Sequence, residues 1–228
     1  MSSVHPPLRA AVLASGGGSN FEALVTAQRQ WGSAAGYEVV TLVADREGAG
    51  ALGRAAALGI EAHVVASAGR SLDAIGLELV QVFEQLGVEL VLLAGYLRLV
   101  PPQVVQRWSG RIVNVHPALL PAFGGKGMWG HHVHEAVLAS GARLSGPTVH
   151  LVDERYDEGR ILAQWPIAVR ADDTPASLAQ RVLQVEHRLY PLVARHLCHA
   201  LIRGEAVQPL VLGSDLLFPE LLPENSSS

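Results

Sequence analysis

The stretch Arg9-Ala10-Ala11-Val12-Leu13-Ala14-Ser15-Gly16-Gly17-Gly18-Ser19-Asn20 decides the architecture. Its first half, Arg9 to Ala14, is a short apolar run of the kind buried inside a sheet, and Phe21 to Gln30 beyond it has apolar residues at helical spacing. A strand that passes through a Gly- and Ser-rich turn into a helix opens a parallel α/β sheet. The turn then lies at the carboxyl end of the strand, where ligands bind in such folds. Its glycines let the backbone turn tightly, and the free N–H groups at the helix start attract phosphate, with Ser19 and Asn20 as added donors. A plain tight turn capped by Ser19 is one alternative. A dinucleotide site with Asp45 as its ribose acid is another. Against it, Phe21 stands at the third glycine position, and the interval from Gly18 to Asp45 exceeds the usual ~20 residues.

Outward from this stretch, strands and helices alternate. Tyr37 to Ala44, Ala62 to Val65, Val88 to Ala94 and Arg111 to Val115 read as strands. Ala49 to Leu58, Leu72 to Leu86 and the proline-started Pro101 to Trp108 lie between them, the first two with helical patterning. Further on, His131 to Ser140 reads as helical, and Thr148 to Val152 and Ile161 to Val169 as strands joined by the turn-like Asp153 to Gly159. Thr174 caps a long helix running towards Arg203, with Pro175 at its first position and Pro191 expected to kink or break it. Ala206 to Leu212 offers a last strand. The expected fold class is α/β: a single domain with a mainly parallel Rossmann-like sheet, helices on both faces and an antiparallel C-terminal extension. Residues 1–8 are expected to be a flexible N-terminus, 9–212 the domain and 213–228 a tail.

A chain of 228 residues with 49% hydrophobic and 17% charged residues has the composition of a globular protein. The net charge of -4 argues against a nucleic-acid binder, and the seventeen Lys and Arg are spread thinly along the chain, which leaves room for a local anion site. The single cysteine, Cys198, excludes an intrachain disulfide and a thiolate-rich metal site. The start, Met1 to Leu8, lacks a signal-peptide pattern, and no apolar run approaches the ~20 residues of a membrane span, so a cytoplasmic location is expected.

Asn114 and His116 end a predicted buried strand, where period-two alternation places both on one face at the ligand edge. An amide and an imidazole so placed suit acyl-type chemistry, one donating to an oxyanion while the other handles a proton. His131, His132 and His134 do not form the zinc-protease pattern, because Leu138 stands where its second histidine belongs, and they read as a solvated face. Gly124-Gly125-Lys126-Gly127 is not an NTPase phosphate loop, since Leu120 and Gly127 break that motif, and it reads as a mobile active-site loop. Asp157, in the acidic turn Asp153 to Gly159, stands out only in combination with Asn114 and His116.

Ser15 to Asn20, Asn114-Val115-His116-Pro117-Ala118-Leu119-Leu120-Pro121 and Asp157-Glu158-Gly159-Arg160-Ile161 occur in the order seen in folate-dependent formyltransferases. From Ala11 to about Leu212 the chain most resembles the phosphoribosylglycinamide formyltransferase family. The resemblance implies formyl transfer from 10-formyltetrahydrofolate, as co-substrate, to the amine of glycinamide ribonucleotide, with no metal. It implies Asn114, His116 and Asp157 as the catalytic set. It places the ribonucleotide on Gly17, Gly18, Ser19, Asn20 and Glu186, and the folate on Leu93, Leu97, Arg98, Leu99 and Asn114, with Arg70 beside them. Leu183 departs from the Lys or Gln that many relatives offer to the substrate phosphate. Small-molecule substrates are the expected partners, with no nucleic acid and no membrane, and monomer and homodimer both stay open. Hydrolysis of formylfolate by the same residues and a non-catalytic nucleotide-binding module are the alternatives.

Overall fold

The computed structural model describes residues 5–213. Nine strands and six α-helices are present among them: β1 (Leu8–Ala14), α1 (Ser19–Trp31), β2 (Tyr37–Ala44), α2 (Gly50–Leu58), β3 (Glu61–Val64), α3 (Leu72–Gln85), β4 (Leu90–Leu93), α4 (Pro102–Arg107), β5 (Ile112–His116), α5 (His131–Ala139), β6 (Leu144–Ser145), β7 (Thr148–Leu151), β8 (Ile161–Gln164), β9 (Ile167–Ala168) and α6 (Pro175–Arg203). The seven-stranded sheet runs β3-β2-β1-β4-β5-β7-β8. Its first five strands are parallel; β7 adds antiparallel to β5, and β8 antiparallel to β7. β1 has neighbours whose connections leave in opposite directions, so a crevice opens at the carboxyl ends of β1 and β4.

Strand alternation explains the two layers of core. Ala10, Val12 and Ala14 of β1 face one side, where they join Phe21 and Leu24 of α1 and Leu189, Val193 and Leu197 of α6. Ala11 and Leu13 face the other side, with Ile75, Leu79 and Phe83 of α3 and Val104 of α4. Ile75, Leu79 and Phe83 recur every fourth residue, so one stripe of α3 is buried, at roughly 1.5–3 kcal/mol per side chain. Ser71 caps that helix, accepting from the Ala74 N–H at 3.2 Å. Thr174 caps α6 as expected, in a reciprocal capping box with Ser177.

One alternative falls and four expectations are corrected. Residue 18, not Ser19, is the N-cap of α1, and no side chain caps that helix. Pro191 does not break α6, which is continuous from Pro175 to Arg203; the prolyl ring is buried, and packing of Leu189, Tyr190, Val193 and Ala194 around it outweighs one missing N–H. The run Ile161 to Val169 is two strands, because Pro166 cannot donate to the ladder, and β9 pairs with β6 in a separate ribbon. Ala206 to Leu212 is not a strand: among its backbone groups one ladder-type bond forms, Leu210 N–H to Leu162 C=O at 2.7 Å. Leu8 belongs to β1, its N–H donating to the Gly36 carbonyl at 2.9 Å, so the domain begins before Arg9. The flexibility expected of residues 1–4 and the tail expected of 214–228 fall outside the described residues.

Candidate active site

A cleft of about 1010 Å³ occupies the crevice at the carboxyl ends of β1, β4 and β5. That volume is enough for two small substrates side by side. One wall is the loop Gly16 to Asn20. Its carbonyls are turned away and taken: Gly16 C=O accepts from the Ala51 N–H at 3.0 Å, and Gly17 C=O from Arg54 Nε at 2.7 Å. The first N–H of α1 with a backbone acceptor is that of Glu22, to Gly18 C=O at 3.0 Å. The Ser19 and Asn20 N–H groups ahead of it therefore have no helical acceptor and no cap, which is the electrostatics of an anion site. Gly18 is required here twice over, by φ 76° and because a Cβ would lie 2.8 Å from Ala51 Cα. Ser15 ties this loop to the next wall, its Oγ accepting the Leu97 N–H at 3.0 Å.

That next wall is the segment after β4, where Leu93, Leu97, Arg98, Leu99 and Val100 line the cleft. Leu97 is 38% exposed, an apolar side chain offered to a flat ligand. Arg98 Nε donates to Asp45 Oδ2 at 3.3 Å, so the acid that a dinucleotide site would need for its ribose is bound to an arginine instead. Arg70 is not in the cleft: it pairs with Glu78 at 2.6 Å and donates to the Ala66 and Ala74 carbonyls on the exposed turn into α3.

Asn114 and His116 project from the end of β5 into the cleft on one face, as the alternation required. The antiparallel register sets His150 of β7 directly opposite Asn114. His150 Nδ1 lies 2.8 Å from the Leu151 carbonyl, and its Nε2 lies 3.2 Å from Asn114 Nδ2, which fixes the plane of that amide. The second amide hydrogen of Asn114 is left for a ligand. His116 Nε2 donates to the Phe123 carbonyl at 2.8 Å, and its Nδ1 faces Asp157 Oδ2 at 3.5 Å. Asp157 Oδ1 lies 3.5 Å from His150 Nε2, and its Oδ2 accepts the Gly125 N–H at 2.9 Å.

The electrostatics follow from this packing. Burial drives the His116 pKa below its ordinary value, and the Asp157 charge and the Phe123 carbonyl oppose that without reversing it. Burial pushes Asp157 up, but contacts from His150, His116 and Gly125 together hold it below the usual carboxylate value. Glu186, on α6, is pushed up to about 7 by burial, with a 2.6 Å hydrogen bond from Asn20 Nδ2 acting the other way. The Tyr190 hydroxyl, one turn on, donates to the Val113 carbonyl at 2.9 Å and locks α6 to β5.

The formyl transferase family model matches residues 8–194. The chain belongs to the formyl transferase family. It is 50% identical over 206 residues to the chloroplastic phosphoribosylglycinamide formyltransferase of Arabidopsis thaliana, covering 88% of this chain and 70% of that one. It is 38% identical to the phosphoribosylglycinamide formyltransferase of Bacillus subtilis, covering 86% of this chain and 97% of that one. The crystal structure of the Brucella melitensis phosphoribosylglycinamide formyltransferase superposes with a TM-score of 0.77 at 38% identity, covering 91% of this chain and all of that one.

In this formyl transferase cleft, every site residue expected from the sequence is a lining residue except Arg70. Three participants escaped sequence reasoning. His150 pairs with Asn114 across a strand junction 36 residues long, and its only local signal was alternation in Thr148 to Leu151. The Phe123 carbonyl is a backbone group with no sequence signature, held in a positive-φ residue at 57°. His134, expected on a solvated face, is buried and lines the cleft with Nδ1 unpartnered. His131 and His132 are exposed, as expected, and with Glu135 they bring ligand-type atoms within 4.8 Å of one another.

Proposed function

We propose that this chain transfers a formyl group from 10-formyltetrahydrofolate to the amino group of glycinamide ribonucleotide by direct attack. The observation that carries the reading is Asn114, His116 and Asp157 meeting at the crevice between an anion-binding loop and an apolar wall. The apolar side chains of Leu93, Leu97 and Leu99 suit the pterin, and the unpaired N–H groups at Ser19 and Asn20 suit the ribonucleotide phosphate. The near-complete overlap with the Bacillus subtilis enzyme favours transfer over hydrolysis.

The substrate amine attacks the formyl carbon, and the carbonyl oxygen becomes an oxyanion. The free N–H of Asn114 donates to that oxygen, with the amide held in place by His150. Protonated His116 supplies the second donor, once the Phe123 carbonyl releases Nε2. Asp157 favours the imidazolium and relays the proton from the attacking amine towards the folate nitrogen that leaves. Collapse breaks the bond from formyl carbon to folate nitrogen, leaving tetrahydrofolate and the formylated amide. Glu186, with a pKa raised to about 7, accepts hydrogen bonds from the ribonucleotide as carboxylate or donates one as acid.

The test is loss of formylfolate absorbance with and without glycinamide ribonucleotide. Loss that requires the ribonucleotide supports transfer, and loss without it supports the hydrolase. Among the described residues no helix is long and apolar enough to cross a membrane. We place the enzyme in the cytoplasm, where a free buried thiol such as Cys198 is ordinary, working without nucleic acid and with no partner beyond a second copy of itself. Cell fractionation and sedimentation test both statements.

A further inference from the structure

Lys126 is the only lysine among the seventeen Lys and Arg residues of the chain, and it stands on the wall of the cleft. Two other Lys or Arg residues line that wall, and both are engaged: Arg98 with Asp45 at 3.3 Å, and Arg155 with Glu158 at 2.6 Å. Lys126 is exposed and makes no ion pair among the described residues.

The ribonucleotide side of the cleft needs such a charge. A phosphate monoester carries close to two negative charges at neutral pH. The start of α1 offers it N–H groups and about half a positive charge. The stripe of α6 that faces the cleft from Ala176 through Ala179 and Gln180 to Leu183 contains no cation, and Leu183 cannot donate at all. The loop that bears Lys126 belongs to this side. It leads into α5, which packs on α6 through Val137 against Leu178 and Val182. Gly125 and Gly127 flank the lysine at φ 95° and 92°, a backbone conformation that glycine adopts readily, and the four-carbon stem of the lysine gives its ammonium reach. The loop is tethered at its base, where the Gly125 N–H binds Asp157 Oδ2 at 2.9 Å.

We propose that Lys126 supplies the positive charge that pairs with the phosphate of the ribonucleotide substrate. The inference rests on the reading of glycinamide ribonucleotide as the amine substrate. It assigns the loop from Gly124 to Gly130 to substrate recognition, closing over the phosphate from the side opposite the anion-binding loop.

Lys126→Met keeps the side-chain stem and removes the charge. It should raise the KM for glycinamide ribonucleotide by about tenfold to a hundredfold, the range of a charge-assisted contact, with a much smaller fall in kcat. Lys126→Arg should recover most of that loss, and the KM for formylfolate should move in neither variant. Because the chain has one lysine, reductive methylation with carbon-13 formaldehyde gives one ε-dimethylammonium signal, which retains its charge. Ribose 5-phosphate should shift that signal and ribose should not. An unchanged ribonucleotide KM in Lys126→Met, a change confined to the folate KM, or a signal unmoved by ribose 5-phosphate would each overturn the proposal. Failure of the unmodified protein to consume glycinamide ribonucleotide sinks the substrate reading instead, while the ribose 5-phosphate titration still tests the contact.

Discussion

Replacing Glu186 by Gln removes one buried charge while keeping shape, and the consequence can be worked out from its surroundings. Burial raises the pKa of Glu186 from 4.5 to about 7, partly offset by Asn20 Nδ2 at 2.6 Å. A raised carboxyl pKa means that the folded state holds a proton the unfolded state releases. Stability from this group is therefore complete below the unfolded value and falls as pH rises from about 4.5 to about 7. The shift corresponds to about 3 kcal/mol by the time both states are ionised, of which about 2–3 kcal/mol develops between pH 5 and pH 8.5. Glutamine escapes this penalty, and its amide meets an Asn20 Oδ1 that has no partner. Urea unfolding of both proteins at pH 5 and pH 8.5 is the assay. Glu186→Gln should match the parent within about 1 kcal/mol at pH 5 and exceed it by about 2–3 kcal/mol at pH 8.5. Equal stabilities at pH 8.5 would refute the claim that Glu186 is held part-protonated. Where Glu186 binds the ribonucleotide as a carboxylate, the same variant raises the ribonucleotide KM, which is a separate readout.

Asp157→Asn should keep the fold and most substrate binding while lowering kcat by about 10²- to 10⁴-fold, because burial then depresses the His116 pKa with only the Phe123 carbonyl opposing it. In pH profiles the limb that requires the imidazolium should move to lower pH, and a near-normal profile removes Asp157 from the mechanism. Combined with His116→Ala, it should be hardly worse than the worse single variant. Leu97→Asp should weaken folate binding by about tenfold to a hundredfold, with the ribonucleotide little affected; separate titrations check this, and equal losses place Leu97 outside the folate wall. Ser19→Asp sets a carboxylate where the phosphate is to bind and should raise the ribonucleotide KM at least about a hundredfold. Unaltered saturation by the ribonucleotide would reduce the glycine loop to a turn.

The layout of the molecule could be read along the chain because its causes are local. Apolar runs such as Arg9 to Ala14 and Val88 to Ala94 mark strands whatever they later pair with, and Leu72 to Leu86 carries its own helical stripe. Asn114 and His116 share a face because two residues of strand return the side chain to the same side. The break expected at Pro191 fails for the opposite reason. The rule that proline breaks helices is local, whereas the packing that keeps α6 continuous comes from β5 and α1.

Composition and spacing thus determined an α/β sheet with a ligand crevice, and the order of motifs pointed to formyl transfer. Tertiary structure alone decided how that crevice works. It set His150 opposite Asn114 through the β5 to β7 register and so fixed the Asn114 amide against an imidazole nitrogen 3.2 Å away. It put the Phe123 carbonyl on His116, took Arg70 out to Glu78 and bound Asp45 to Arg98. It also desolvated Glu186 enough to shift its pKa to about 7. Period and propensity are properties of neighbours in sequence, while desolvation, hydrogen-bond partnership and charge pairing depend on atoms from distant segments that only the folded chain brings within a few ångströms.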